Sequence, residues 1–532
     1  RFEKPFALMA RDLAVVRCYA QVTAEEAAAL QGCAAPILLL DRLDPPNGPA
    51  LANAVAPAQN RLGFMLPYSP LHHLLLADWD RPLVMTSGNL SEEPQCLDNR
   101  DAADRLHGLA DGFLLHDREI VNRLDDSVAC RIAGAVRVLR RARGFAPAPL
   151  LLPEGFEKSP AVLALGGELK ATLCLLQNGT ATLSQHLGDL EDARTAAEYD
   201  HTLALYRSLF DHHPAVLAAD LHPDYYSTRV GQAESRRSGL PLLRIQHHHA
   251  HIAACLAENR WPRQAPPVLG VVLDGLGLGE DGSIWGCEWL VADYSGFRRV
   301  GRLRPVPLPG GIQAIREPWR NTLAHLVTAF GWDGWQPLCA GLPMGEWLAR
   351  QPLDLLRVAM ARGLNSPWSS SGGRLFDAVA ALLGVRPASV SYEGQAAIEL
   401  EALADAGKAE AKTPYPFAIH PGEIWTLDPS PLWSALLDDL RQGCEIPDMA
   451  RAFHTGLAAA LADMALNLAK QEGLNTVALS GGVMQNRRLF EALEQHLTAA
   501  GLTVLSHRQV PANDGGLALG QALVAAARMG VR

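Results

Sequence analysis

The sequence predicts an α/β protein of at least two units, the second carrying an internal duplication. Three observations point there. Short apolar runs alternate with helix-patterned stretches at both ends of the chain. Two segments about 106 residues apart read as the same three-stranded meander. Between the first unit and the rest lies APAPLLLPEGFEKSP (146–160), whose four prolines and one glycine are expected to sustain neither helix nor strand.

In the first unit, PILLLD, RPLVMTS, GFLLH and VRVLRR are the apolar runs, and TAEEAAALQG and NRDAADRLHG the helical stretches between them. The first meander starts at Val162, VLALGGELKATLCLLQNGTATLSQHLGD. The second starts at Val268, VLGVVLDGLGLGEDGSIWGCEWLVAD. Each reads as a strand, a Gly-rich turn after an acidic residue (Glu168 or Asp274), a second strand, an NG or DG hairpin and a third strand. A duplicated phosphate-gripping fold needs this pattern; two unrelated hairpins would also show it. Near the end, MARAFHTGLAAALADMALNLAKQEG is helical, TVALSGG a strand, NRRLFEALEQHLTAAG a helix, LTVLSH a strand and GGLALGQALVAAAR a helix. Such alternation implies parallel pairing and places ligands at the carboxyl ends of the strands, where Gly481, Gly482, Asn513 and Asp514 fall.

Composition narrows the class. The 532 residues are 48% hydrophobic and 20% charged, which excludes a disordered chain. No apolar run approaches the ~20 residues that span a bilayer, and no signal peptide opens the chain, so a soluble protein is expected. The net charge of −10 disfavours nucleic acid as a partner. Nine scattered cysteines with no CxxC suit the reducing cytoplasm better than a disulfide framework or a zinc finger. Only 6 of the 47 basic residues are lysine, so Lys4 and Lys170 stand out. The opening RFEKPFALM runs at once into an apolar strand, and a fragment lacking the first strands of its first domain is expected.

The residues able to do chemistry are few. His247, His248, His249 and His251 open a helix, and on it His247 and His251 share a face one turn apart. Asp274 ends a strand and Asp514 sits in a Gly-rich loop. Two imidazoles and two carboxylates suit zinc, iron or manganese; a surface histidine cluster with unrelated capping aspartates is the other reading. Gly275, Gly277 and Gly279, like Gly481 and Gly482 before Asn486, could bring backbone N–H groups to phosphate or simply make tight turns. TSGNLSEEP (86–94) could grip phosphate or ribose, or cap a helix. Arg123, Arg140, Arg141 and Arg143 suit an anion, or an ordinary surface.

Taken together, KPFALM, TSGNLSEEP, NRLDDSV, RRARGFAP, GGELKATLCL, HHHAH, LDGLGLGEDGSIWG, REPWRN, GGRLFDAVAALLG, YEGQAAIELE, LSGGVMQN and NDGGLALGQA occur in an order that resembles the HypF family, the carbamoyltransferases of nickel–iron hydrogenase maturation. The resemblance spans essentially the whole chain, but leaves out that family's acylphosphatase domain and cysteine-rich zinc-binding region. It implies a YrdC-like carbamoyl-adenylate-forming domain at 1–150, with Lys4, Ser87, Asn89, Arg123 and Arg143 at the nucleotide or carbamoyl group. A linker at 151–160 would lead to a Kae-like transferase at 161–532, on a duplicated actin/Hsp70-like, ribonuclease-H-like fold with subdomains at about 161–265 and 266–532. There it implies a zinc or iron ion on His247, His251, Asp274 and Asp514. Nucleotide contacts would come from Gly275, Gly277, Asp377, Gly481, Gly482 and Asn486, with Lys170 catalytic. The implied substrates are ATP with Mg2+ and carbamoyl phosphate, the acceptor is the carboxy-terminal cysteine of HypE, and none of the chain's own thiols is the nucleophile. An O-carbamoyltransferase acting on a small molecule and a non-catalytic ATP-dependent interaction protein are the alternatives. A threonylcarbamoyl enzyme acting on tRNA fits the acidic charge and REPWRN poorly.

Overall fold

The computed structural model describes residues 3–90, 93–408 and 412–530; Ser91 and Glu92 of the polar turn lie outside the described residues. The first unit is a mixed sheet of β1 (Ala7–Met9), β2 (Ile37–Asp41), β3 (Arg61–Met65), β4 (Leu83–Val84), β5 (Val128–Ile132) and β6 (Ala135–Arg140), in the order β4-β1-β3-β2-β5-β6. Leu8, Val16, Leu38, Leu40, Leu62 and Phe64 form its core with Tyr19 and Leu30. The helix Ala24–Gln31 starts at a capping box in which Thr23 and Glu26 satisfy each other's backbone N–H. The helix Asn99–Leu106 is capped by Asp98.

Two expectations for this unit fail. GFLLH is not a strand, and its Phe113, Leu114 and Leu115 are 41%, 73% and 48% exposed. An apolar run becomes a strand only where a neighbouring strand accepts its hydrogen bonds, and the sheet already ends at β4 and β6. The proline-rich junction, by contrast, does form a short strand. Leu150–Leu151 (β7) pairs with Thr180–Ala181, at the edge of a sheet, where flanking prolines are tolerated.

The rest of the chain carries two further sheets. In the first, β8 (Val162–Ala164), β9 (Cys174–Gln177) and β10 (Thr180–Leu183) form a meander, and β11 (Val216–Asp220) and β12 (Leu242–Ile245) add in parallel beside β8. The second repeats this with β13 (Val268–Leu278), β14 (Ile284–Ala292) and β15 (Phe297–Leu303), then β16 (Val306–Pro307), β17 (Trp368–Ser369), β18 (Ala418–His420) and β19 (Trp425–Asp428) at the far side, and β20 (Thr476–Ser480) and β21 (Thr503–Ser506) in parallel beside β13. The orders β10-β9-β8-β11-β12 and β15-β14-β13-β20-β21 are the same, so the duplication is of topology and not only of two hairpins. The glycine-rich turn expected after Asp274 is absent: β13 runs on to Leu278, and the extra residues are absorbed by a bulge between Leu273 and Gly277.

Each half ends in a helix after its last parallel strand, His247–Glu258 after β12 and Leu517–Met529 after β21. The two helices meet at backbone distance, because a Cβ at Gly520 would run into the Ala250 carbonyl. They bury Ala250, Ile252, Ala253, Leu519, Leu523 and Val524 between the sheets. The second half is enlarged by helices, and Trp289, Phe376, Trp433 and Phe453 are fully buried in its core. The first unit leans on both halves. Arg123 reaches Glu198 of one at 3.2 Å, and Arg61 reaches Glu401 of the other at 3.1 Å. All nine cysteines are free thiols, and among the described residues no helix is long and apolar enough to cross a membrane.

Candidate metal centre between the two halves

β12 delivers the chain to Gln246, whose side chain accepts the His249 N–H and starts the helix, so His247 and His251 emerge one turn apart on its buried face. From the other half come Asp274, inside β13, and Asp514, at the turn before the helix Leu517–Met529. His247 Nε2 lies 3.2 Å from Asp274 Oδ2 and 3.7 Å from Asp514 Oδ1, and His251 Nε2 lies 3.7 Å from each of the same oxygens. One donor atom from each of the four fits within 4.8 Å of the others.

The donors suit a divalent ion. Among the described residues, the buried His251 Nε2 has no hydrogen-bond partner. His247 Nδ1 is held at 2.8 Å by Asp220 Oδ2, the outer contact that commonly orients a metal-binding imidazole. Burial opposes charge on every member of the group. The carboxylates nevertheless outweigh it at His247 and His251, raising both above the usual imidazole range, His247 well above. The imidazoles in turn hold Asp274 and Asp514 well below the usual carboxylate range, again against burial. A divalent ion would supply the positive charge that the two carboxylates favour, with the imidazoles binding it as neutral donors. His248 stays outside the group: burial, then the neighbouring His247, pushes it well below the usual range.

The expected nucleotide residues surround this centre with differing freedom. Gly275 has open space on its side-chain face, as an approaching ligand requires. At Gly277 a Cβ would fall 2.5 Å from His248 Cε1 and 2.8 Å from His247 Cδ2, so this glycine makes room for imidazoles. Gly481 has φ +99°, a Cβ there would overlap the Leu273 carbonyl, and its N–H donates to Ala512 O at 2.9 Å. The Gly482 N–H donates to Asp274 Oδ1 at 3.1 Å. Asn486 caps the helix Arg487–Ala499 through Leu489 N and meets His454 Nε2 at 3.1 Å. Asp377 is buried on the helix Gly372–Leu382 and paired with Arg374 at 2.9 Å.

Lys170 occupies the turn between β8 and β9 at φ +49°, its N–H bonded to Asp189 and its ammonium paired with Glu393. Burial opposes the charge, but Glu393 and Asp514 outweigh it, and the ammonium is retained.

In the first unit, Ser87 donates to Asn89 Oδ1, and Asn89 Nδ2 donates to the Leu90 and Glu93 carbonyls at 2.8 Å each. Arg143 stacks over Tyr68 at 3.4 Å, pairs with Asp126 and donates to the Ala35 carbonyl. Arg123 is committed to Glu198. Lys4 is exposed. Arg140 and Arg141 donate to the Asp126 and Ala148 carbonyls at 2.9 Å each.

Sequence reasoning missed Asp220, Ser480, Glu393 and His186. His186 lies where the units meet: burial, then Arg140, holds it at about 3, with Lys4 and Lys170 also within electrostatic reach. Asp220 had a readable signal, since it ends the apolar strand VLAAD as Asp274 follows VLGVVL.

Comparison with known proteins defines the class first. Residues 270–521 match the family described as carbamoyltransferase, Kae1-like domain, second subdomain. Residues 157–258 match the HypF Kae1-like domain, and residues 1–142 match the Sua5–YciO–YrdC family, described as telomere recombination. The fold is that of a carbamoyltransferase joining YrdC-like and Kae1-like domains. The carbamoyltransferase HypF of Rhodobacter capsulatus is 48% identical over 99% of this chain and 67% of its own length. A full-length HypF crystal structure in the phosphate- and nucleotide-bound form superimposes with a TM-score of 0.90 at 39% identity, covering 99% of this chain and 66% of that one. HypF from T. kodakarensis also gives 0.90, at 33% identity over 100% of this chain and 68% of its own. The chain belongs to the HypF carbamoyltransferase family and spans about two thirds of the length of these relatives.

Proposed function

We propose that the protein serves nickel–iron hydrogenase maturation in the cytoplasm, forming a carbamoyl-adenylate and passing the carbamoyl group to the carboxy-terminal cysteine of HypE. In this reading residues 1–150 make the adenylate, 151–160 link, and 161–532 transfer, with subdomains meeting near 265. The observation that carries it is the group of buried His247, His251 and Asp274 with half-buried Asp514, the Lys170 ammonium lying within electrostatic reach of Asp514.

Carbamate derived from carbamoyl phosphate attacks the α-phosphate of ATP, Mg2+ offsetting the triphosphate charge, and pyrophosphate leaves. The product is a mixed anhydride, which water destroys, so it must travel enclosed. The units meet where the His186 N–H donates to the Arg141 carbonyl at 2.9 Å, and the reading puts the enclosed transfer at this contact. At the far end the partner's thiolate attacks the carbonyl carbon, its C–O bond to phosphate breaks, and AMP departs with the electron pair. Lys170, whose charge Glu393 and Asp514 favour, holds an anionic oxygen while this happens. Zinc or iron on the four donors would supply Lewis-acid charge at the same place. The open face of Gly275 leaves room for the nucleotide, and the relative crystallised with phosphate and nucleotide supports such binding.

The test is product analysis after incubation with ATP, Mg2+, ammonium carbamate and a HypE carboxy-terminal peptide ending in cysteine. AMP, pyrophosphate and an S-carbamoylated peptide are expected. ADP with phosphate, or a peptide carbamoylated anywhere but its thiol, would contradict the reading.

A further inference from the structure

Both histidines of the centre turn Nε2 inward, so each leaves Nδ1 facing the protein. What meets that nitrogen follows from the duplication. β11 and β20 hold the same place in their sheets, each the parallel neighbour of its meander's first strand. β11 ends at Asp220 and β20 ends at Ser480. Asp220 Oδ2 lies 2.8 Å from His247 Nδ1, and Ser480 Oγ lies 3.5 Å from His251 Nδ1. All four side chains are buried. Each supporting residue is itself anchored. Asp220 Oδ1 accepts the His222 N–H at 2.8 Å. Ser480 Oγ lies 2.9 Å from His507 Nε2, whose Nδ1 faces Glu258 Oε2 at 3.1 Å.

We propose that Asp220 and Ser480 are a matched pair of positioning residues, one from each half, that orient His247 and His251 toward a divalent ion. This rests on the metal reading of the centre. A proton held at Nδ1 leaves the Nε2 lone pair for the ion, and a carboxylate partner makes that nitrogen the better donor. The pair is unequal by design of its chemistry: a full charge at 2.8 Å supports His247, a long contact to a neutral hydroxyl supports His251. His247 is therefore the firm ligand and His251 the yielding one. If the two residues only satisfied buried strand ends, replacing them would alter folding without altering how the ion is held.

The experiment titrates the metal-stripped chain with Co2+, following the d–d absorption, for the wild type and for Asp220→Ala, Asp220→Asn and Ser480→Ala. Affinity is expected to fall about 10–100-fold in Asp220→Ala. It should fall less in Asp220→Asn, which keeps the volume and an acceptor oxygen, and least in Ser480→Ala. The absorption band should shift in both Asp220 variants. Melting of the metal-free proteins is the folding control, and Asp220→Asn decides the matter if Asp220→Ala does not fold. Wild-type affinity and spectrum in Asp220→Asn and Ser480→Ala would overturn the proposal, as would a larger loss in Ser480→Ala than in Asp220→Asn. A wild type that takes up no Co2+ is a separate outcome, which removes the metal reading and this inference with it.

Discussion

The two candidate sites of this chain are built in opposite ways. In the first unit, Ser87, Asn89, Arg123 and Arg143 already have partners within the protein, and Lys4 is exposed. At the junction of the duplicated halves, buried His247, His251 and Asp274 converge with half-buried Asp514, and among the described residues His251 Nε2 has no hydrogen-bond partner. Burying such groups costs several kcal/mol unless something satisfies them, so the proposed ligand has a physical reason at the junction, whereas the polar turn is satisfied by its own bonds. Their surroundings differ in the same sense. Leu71, Leu74, Leu109 and Leu114 leave apolar surface on the first unit exposed, whereas Ile252, Leu519 and Leu523 pack the junction closed.

Substitutions at the two sites should keep this contrast. The largest effect is expected from Asp274→Ala, which removes a donor and the acceptor of the Gly482 N–H. Metal content by elemental analysis should drop from about one ion per chain to background. Joint replacement of Ser87 and Asn89 by alanine should leave it untouched; a drop there would erase the distinction.

Next comes the contact between the regions. Glu401→Ala leaves Arg61 at the interface with the longer 3.7 Å contact to Asp41 and removes the acceptor of the Arg488 N–H, and denaturant unfolding should show a loss of about 3 kcal/mol. Lys170→Ala should cost about 100-fold in carbamoyl transfer with metal content unchanged, and Lys170→Arg should recover part of it. Equal transfer by the alanine variant would remove Lys170 from the chemistry. Asn89→Ala should cost about 1–2 kcal/mol through the two hydrogen bonds that close its turn.

The smallest effect concerns pH. Burial raises the Asp405 carboxyl, but Arg488 and Asn60 outweigh it and hold its folded value below the ordinary one. Its contribution is thus full above the unfolded value near pH 4 and is lost as pH falls through the lower folded value. Asp405→Asn should flatten the acid limb of a stability-against-pH curve; an unchanged limb would show that the pair is solvated.

Much of this was legible in the sequence, for stated physical reasons. Helical spacing alone put His247 and His251 on one face, and strand–helix alternation put Asp514 at a strand's carboxyl end. The run DGLGLG misled because glycines permit a turn without demanding one; hydrogen bonding to β14 carried the strand past Asp274 with a bulge instead. GFLLH misled because apolar character says nothing about whether a partner strand exists. Asp220 and Ser480 are 260 residues apart, and only the folded duplication shows that they do the same job.

The central claim is that one divalent ion joins the two halves. It is tested most directly by anomalous diffraction at the zinc and iron edges from crystals of the full chain. The account predicts a single strong peak between His247 Nε2, His251 Nε2 and one oxygen each of Asp274 and Asp514, at about 2.0–2.2 Å from each. No peak there under metal-replete conditions, or a peak bound by other residues, would contradict it.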